Sequence, residues 1–449
     1  MTRSVLDLWR HFLQHPSRGE IETFRDRRLR ALVRHAHARV PYYGDLFDES
    51  GLDIEGFRGV ADLERIPVTT RQTLQSLAPD QILARGYEPS RLVQRWSSGS
   101  SGQKLTVRRT WLEDRTLAAF RKRAEHEVGV RPRDRMARVT LERGVSPNDA
   151  QWPLKMLQSL GLFRYLSIDC LADPTSAIES LRAYRPDVVG GFPGAITRVA
   201  EAAGEEGLRD LGVRLIVVGG ETLRPEMRRR METAFGARIV EKYGTIEFDL
   251  VAMQCPQGEQ LHVCDDGLIL EILRGSEAVE TGAQGEVVVT GLHSWAMPLI
   301  RYRIGDVATK GLARCPCGAP SSTIHSVGGR TLDYFALPDG RLIHPFALTT
   351  PMLDAHPWIR QYQLTQERTD HLVLRVVPWD APSPGLLEEV KQQYSKILGS
   401  EVTLDIRLLD ELRPEASGKF RLSQSLVRPH HDEFDWERVE DLASDWERR

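Results

Sequence analysis

The chain has 449 residues, 41% of them hydrophobic, and a formal net charge of -3. That length allows two or three domains at ~100–200 residues each, and the weakly acidic balance excludes the basic field that non-specific nucleic-acid binding needs. There is no run of ~20 apolar residues that could span a membrane and no apolar leader at the start, so the chain reads as cytoplasmic, with neither nucleic acid nor membrane as a partner.

In chain order, residues 20–47 open with a helix. Leu29, Leu32, Val33 and Ala36 recur at helical spacing, and Arg25, Arg27, Arg28, Arg30 and Arg34 form solvated faces until Pro41 stops it. The next informative stretch crowds Ser97, Ser98, Gly99, Ser100, Ser101, Gly102, Gln103 and Lys104 between two segments, 91–94 and 105–107, that read as strands. Glycine lets backbone N–H groups converge, serine adds hydroxyls and lysine adds a mobile positive charge, so the loop suits a polyphosphate. It is not a Walker A loop, because two residues rather than four separate Gly99 from Gly102. Taken alone, it also reads as a flexible Ser/Gly surface loop.

Residues 108–160 read as mostly helical, broken by the turn-rich segment 144–149. From Tyr184 the pattern becomes parallel α/β: a strand over 187–192, a helix over 195–203 and a strand over 213–218. The turn Gly219-Gly220-Glu221 follows, then a helix over 225–235 with proline early and Gly236 after its end, and a strand over 237–241. That strand leads into Tyr243-Gly244-Thr245-Ile246-Glu247. In a right-handed βαβ unit both turns leave one edge of the sheet, where α/β proteins bind ligands, so the two turns are expected to face one crevice.

Residues 261–310 read as a separate β subdomain with strands over 268–273 and 286–290. Beyond 330, a strand over 371–377, a helix over 385–398 and a strand over 402–408 make a small α+β domain. The loop with Ser417-Gly418-Lys419 follows, and 430–449 read as a docked terminal helix. Of the five cysteines, four fall within one segment. Cys255, His262, Cys315 and Cys317 supply three sulfurs and one imidazole suited to tetrahedral zinc, with Cys264 as a substitute for either partner; unliganded thiols are the other reading.

The order of these motifs resembles that of the AMP-forming adenylation superfamily, which includes acyl-coenzyme A ligases, and above all its phenylacetate-coenzyme A ligase branch. The resemblance implies an α/β chain with a large N-terminal adenylation domain over 1–329, including the β subdomain at about 261–329, and a small mobile α+β C-terminal domain over 330–449. It implies that Ser97 to Lys104 cradle the β- and γ-phosphates of ATP and that Gly220, Glu221 and Thr222 form the adenine-side turn. In the Tyr243-Gly244-Thr245 motif, Tyr243 would lie against adenine, and Glu247 would hold Mg2+. Asp306 matches the aspartate that holds the ribose hydroxyls, and Arg330 matches the arginine after the hinge glycine. Lys419 matches the lysine that bridges carboxylate and α-phosphate. Such a set makes chemical sense, since joining two anions concentrates charge at the α-phosphorus, where a lysine, a metal and fixed N–H donors stabilise it. Trp152, Phe192 and Pro193 fall in the regions that would line the acyl pocket, with core packing as the alternative. Similar Cys/His sets occur in some members of this branch, and a structural Zn2+ is the reading taken for the set here.

Three positions depart from the family pattern. Gln103-Lys104 replaces the usual Lys-Pro, Ile246 stands where a hydroxyl residue precedes the glutamate, with Thr245 beside it, and Leu332 occupies the common hinge Asp/Lys position. The expected activity is ATP-dependent, AMP-forming activation of an aryl or arylacetic carboxylic acid, with transfer to coenzyme A. Transfer to an amine, transfer of AMP to a hydroxylated acceptor, and a nucleotide-binding interaction protein without catalysis are the alternatives. A homodimer is compatible with all of them.

Overall fold

The computed structural model describes residues 17–96, 105–141, 152–330, 334–343, 348–349, 356, 358–415, 420–427, 436 and 439–440. A capping box starts α1 (Arg18–Arg39): Ser17 Oγ accepts from Glu20 N–H, and the Glu20 carboxylate accepts from Ser17 N–H. Leu29, Leu32, Val33 and Ala36 are fully buried along its inner face. Pro41 ends this helix as expected but also begins α2 (Pro41–Glu49), since its fixed φ and missing N–H suit a first helical position, so Tyr42 and Tyr43 are helical.

β1 (Val93–Trp96) and β2 (Thr106–Arg109) pair antiparallel in register from Val93↔Arg109 to Trp96↔Thr106, and so flank the Ser/Gly loop. The helical reading of 108–160 holds for α3 (Trp111–Glu127) and α4 (Trp152–Ser159). It fails at Arg135–Thr140, which is β3, a strand paired on both sides. Arginines at 135 and 138 dilute its apolar signal, while pairing and the burial of Met136, Ala137 and Val139 override local preference.

The chain then alternates β4 (Arg164–Asp169), α5 (Pro174–Tyr184), β5 (Val188–Gly191), α6 (Pro193–Ala202), β6 (Leu215–Gly219), α7 (Pro225–Phe235) and β7 (Arg238–Tyr243). β4, β3, β5, β6 and β7 lie side by side and parallel. The expected separate β subdomain is not separate. β8 (Ala252–Gln254) folds back antiparallel onto β7, β9 (Leu261–Val263) pairs with β8, and the sheet continues through β10 (Leu268–Arg274), β11 (Glu277–Ala278), β12 (Gln284–Gly291), β13 (Tyr302–Lys310) and β14 (Thr323–Arg330). The result is one 12-stranded sheet of order β11-β10-β12-β13-β14-β9-β8-β7-β6-β5-β3-β4.

The chain divides into two compact units, one of Met1–Ile304 with Ala308–Val327, the other of Gly305–Val307 with Gly328–Arg449. The second unit contains β15 (Phe335–Ala336), β16 (Leu342–Ile343), β17 (Ile359–Arg368), β18 (His371–Pro378), α8 (Pro384–Leu398), β19 (Thr403–Leu408), β20 (Ser423–Ser425) and β21 (Val439–Glu440). Its main sheet has the order β19-β18-β17-β20, and α8 buries Val390, Tyr394 and Leu398 in a core with Leu364, Leu372 and Leu374. Polar Gln and Arg positions hide β17 from a hydrophobicity reading. The terminal helix expected over 430–449 is corrected where it is described: Val439–Glu440 is a strand parallel to β16, because Leu342 and Ile343 offer it a free backbone edge. Among the described residues, no helix is long and apolar enough to cross a membrane.

Candidate active site

β6 is buried along its whole length, as a Leu-Ile-Val-Val run inside a parallel sheet should be. At its end Gly219 faces the Lys242 carbonyl oxygen, which would lie 2.5 Å from any Cβ, and Gly220 turns the chain at φ 85°. Glu221 then reaches α6, where its Oε2 accepts from Gly194 N–H at 3.0 Å, a favourable place for a carboxylate at a helix N-terminus. Phe192 and Pro193 are both buried at the start of that helix. Gly219 pairs with Lys242, so the turn after β6 and the loop after β7 leave the same edge of the sheet.

The loop after β7 is tightly tied. Thr245 N–H donates to Asp249 O at 3.1 Å, Asp249 N–H returns a bond to Thr245 O at 2.8 Å, and Val251 N–H bonds Tyr243 O at 2.9 Å. Gly244 fits because a Cβ there would stand 2.2 Å from Asp249 O. Thr245 Oγ1 accepts from Phe248 N–H at 3.2 Å, so the hydroxyl beside Ile246 holds the loop together. Ile246 packs, half-buried, on an apolar cluster that includes Tyr243, Phe248 and Tyr302.

Glu247 is buried, and its Oε1 lies 3.2 Å from Arg71 Nη2. Arg109, at the end of β2, donates from Nη2 to the backbone carbonyls of both Ile246, at 2.8 Å, and Glu247. Burial pushes the Arg109 guanidinium below its ordinary value, with Asp114 at 3.6 Å working in the opposite direction. Arg95 on β1 reaches the same Asp114 at 2.8 Å. The hairpin that carries the Ser/Gly loop is thus fastened to the Tyr243–Glu247 loop. Sequence reasoning missed Arg71 and Arg109; in a chain with 60 lysines and arginines, single arginines carry no distinguishing signal.

Of the other expected site residues, Asp306 is buried within β13 and belongs to the Gly305–Val307 segment of the second unit. Ser97, Ser98, Gly99, Ser100, Ser101, Gly102, Lys104, Leu332 and Lys419 lie outside the described residues, as do the side chains of Trp152 and Arg330.

A second cluster forms where β8, β9 and the β13–β14 connection meet. The ligand atoms of Cys255, His262, Cys315 and Cys317 all lie within 4.8 Å of one another. The Cys315 and Cys255 sulfurs are 3.7 Å apart and Cys317 Sγ is 3.4 Å from His262 Nε2. A tetrahedral zinc with Zn–S bonds of about 2.3 Å sets its sulfurs about 3.8 Å apart, so the set fits that ion. Gln257 N–H and Ala319 N–H donate to the Cys255 and Cys317 sulfurs at 3.3 and 3.4 Å. Cys264 does not join. β9 ends at Val263, the chain turns there through Gly267 N–H and Leu268 N–H onto Cys264 O, and the Cys264 side chain is buried in the core with Phe120 and Leu250. Its role as a substitute ligand is therefore corrected.

Residues 335–425 match the CapK C-terminal domain family. The phenylacetate-coenzyme A ligase of Thermus thermophilus is 26% identical over 402 residues, covering 86% of this chain and 85% of that protein. That of Escherichia coli is 25% identical over 383 residues, covering 80% and 82%. Among solved structures, 2-hydroxyisobutyryl-CoA ligase in its postadenylation state, in complex with R3-HIB-AMP, superimposes with a TM-score of 0.69 at 20% identity, covering 94% of this chain and 89% of that one. The chain is therefore a homologue of the phenylacetate-coenzyme A ligases, built on the α/β fold of the adenylate-forming coenzyme A ligases and carrying a CapK-type C-terminal domain.

Proposed function

We propose that the chain is an AMP-forming ligase that activates a carboxylic acid with ATP and passes the acyl group to coenzyme A in the cytoplasm. The observation that carries the reading is the homology to phenylacetate-coenzyme A ligases over more than four fifths of both chains, 86% and 85% in the Thermus case. The shared sheet edge of Gly219–Glu221 and Tyr243–Glu247 supports it, since such an edge is where parallel α/β sheets bind ligands.

In this reading the acid's carboxylate oxygen attacks the α-phosphorus of ATP, the bond to pyrophosphate breaks, and the coenzyme A thiolate later displaces AMP from the acyl carbon. Tyr243 and the turn through Gly220, Glu221 and Thr222 hold the adenine, Asp306 the ribose, and the Ser97–Lys104 loop the outer phosphates. Lys419 would supply the charge that offsets the carboxylate and the α-phosphate, and Arg330 would be the arginine after the hinge glycine. Magnesium would be held by Glu247 and would neutralise phosphate charge. Arg71, paired with Glu247, keeps that carboxylate oriented. Zinc held by Cys255, His262, Cys315 and Cys317 would be structural, because four protein ligands would leave no open position.

The test is acid-dependent exchange of labelled pyrophosphate into ATP, followed by thioester formation with coenzyme A. Lys419→Ala should lower exchange by about 10²–10³-fold, as loss of one transition-state charge contact does. Exchange that is unaffected by this substitution would overturn the assignment of Lys419, and absence of exchange with every acid would overturn the reading itself.

A further inference from the structure

Side chains alternate along a strand, so Lys242 points to the sheet face opposite Tyr243. α3 covers that face. Lower down, Phe120 of the helix and Val128 just past its end share a core with Met136, Val188, Leu215, Val217 and Val240. Toward the C-terminal ends of the strands the apolar rows give way to Arg138 on β3 and Lys242 on β7. Of their cross-strand partners, Gly190 and Gly219 on the inner side are glycines, while Ser167 and Met253 flank them on the outer side.

Four cations and two carboxylates meet here, and the pairing is uneven. Arg121 on α3 bonds Asp249 at 2.9 Å and Glu125 at 3.3 Å, and Lys122 bonds Glu125 at 2.7 Å. Both carboxylates are thereby committed to the helix. Among the described residues, the side chains of Lys242 and Arg138 make no hydrogen bond or ion pair; the Arg138 guanidinium lies over the Tyr165 ring, 5.0 Å from its centroid. Both side chains remain partly accessible. Burial pushes the Lys242 ammonium down to about 8, against the pull of Glu125 and with Arg121 and Arg138 adding to the shift. Two cations drawn partly out of water are costly alone and favourable once an anion arrives.

We propose that Lys242 and Arg138 receive a second anionic group on the acid substrate, so that the enzyme activates dicarboxylic acids or comparable dianions rather than simple aryl acids. The inference rests on the adenylation reading. One carboxylate would react at the crevice that Gly219–Glu221 and Tyr243–Glu247 share, while the body of the acid runs past the strand ends toward Lys242 and Arg138. An uncharged tail would leave both cations desolvated and unpaired, and sites with buried polar groups reject such analogues strongly.

The experiment is pyrophosphate exchange with matched pairs: phenylacetic against 4-carboxyphenylacetic acid, benzoic against isophthalic acid, hexanoic against adipic acid. The wild-type protein should favour the dianion in at least one pair by about tenfold or more in kcat/KM, as charge-assisted contacts do. In Lys242→Met and Arg138→Gln that ratio should fall by about tenfold, mainly through a raised KM for the dianion. A wild-type ratio at or below unity in every pair overturns the proposal even if neither variant folds. So does a loss in both variants that falls equally on the two members of each pair. Exchange with monoanions alone sinks only this proposal, whereas exchange with no acid at all sinks the adenylation reading and this one with it.

Discussion

Glu241 lies two residues before Tyr243, and its N–H donates to Gln254 Oε1 at 2.9 Å. Burial pushes its carboxyl up from 4.5 to about 7, with Arg228 opposing part of the shift. The folded chain therefore binds a proton that the unfolded chain has already released between those two values. Stability from this group is fully present below pH 4.5 and is lost as pH rises through about 7. Glu241→Gln should raise the melting temperature at pH 8 by about 2–4 °C and leave it close to wild type at pH 5, a difference that thermal scans at the two values would reveal. A variant that melts alike at both would refute the linkage. At this same scale the sequence was unevenly legible. Cys255, His262, Cys315 and Cys317 advertised themselves because cysteine is scarce in the chain, at five residues, and they do converge. Arg71 and Arg109 did not, because an arginine's role depends on which carboxylate or carbonyl the fold brings to it.

The loop from Tyr243 to Val251 is the element on which the crevice depends, and it was readable as a motif but not as a shape. Nothing in Gly244-Thr245-Ile246 announces that Asp249 will fold back at φ 62° to exchange two backbone bonds with Thr245. Gly244→Ala would drive a methyl group into the Asp249 carbonyl, 2.2 Å away, and the loop would have to open. Overpacking of this kind costs about 1–3 kcal/mol. The variant should melt lower and lose pyrophosphate exchange by about tenfold or more, because a displaced loop misplaces its catalytic groups. Retention of full exchange would show that the loop tolerates opening. The strands β3 and β17 escaped the sequence reading for a related reason: their arginines and glutamines break the apolar alternation, and only cross-strand partners distant in sequence make them strands.

Across the whole molecule, the cysteine-histidine cluster ties residue 255 to residue 315 through side chains alone. A metal bound there closes a long loop and adds its binding free energy to folding. The purified protein should carry about one zinc per chain, and Cys315→Ser or treatment with a strong chelator should lower the melting temperature by several degrees, on the order of the stabilisation a structural ion gives. Cys264→Ser should leave the zinc content unchanged, and metal-free protein prepared without chelators would end the assignment. The continuity of the sheet across β7, β8 and β9 was hidden from the sequence because composition changes there while backbone pairing does not.

That continuity has one more result. Among the described residues the sheet has 12 strands and two margins, β11 and β4. β11 is two residues long with Glu277 exposed, and β4 begins with Arg164 and ends with Asp169, both exposed. A foreign strand seeking to extend the array meets a stub on one side and charge of both signs on the other, features that natural sheets use against fibre growth and accidental polymerisation.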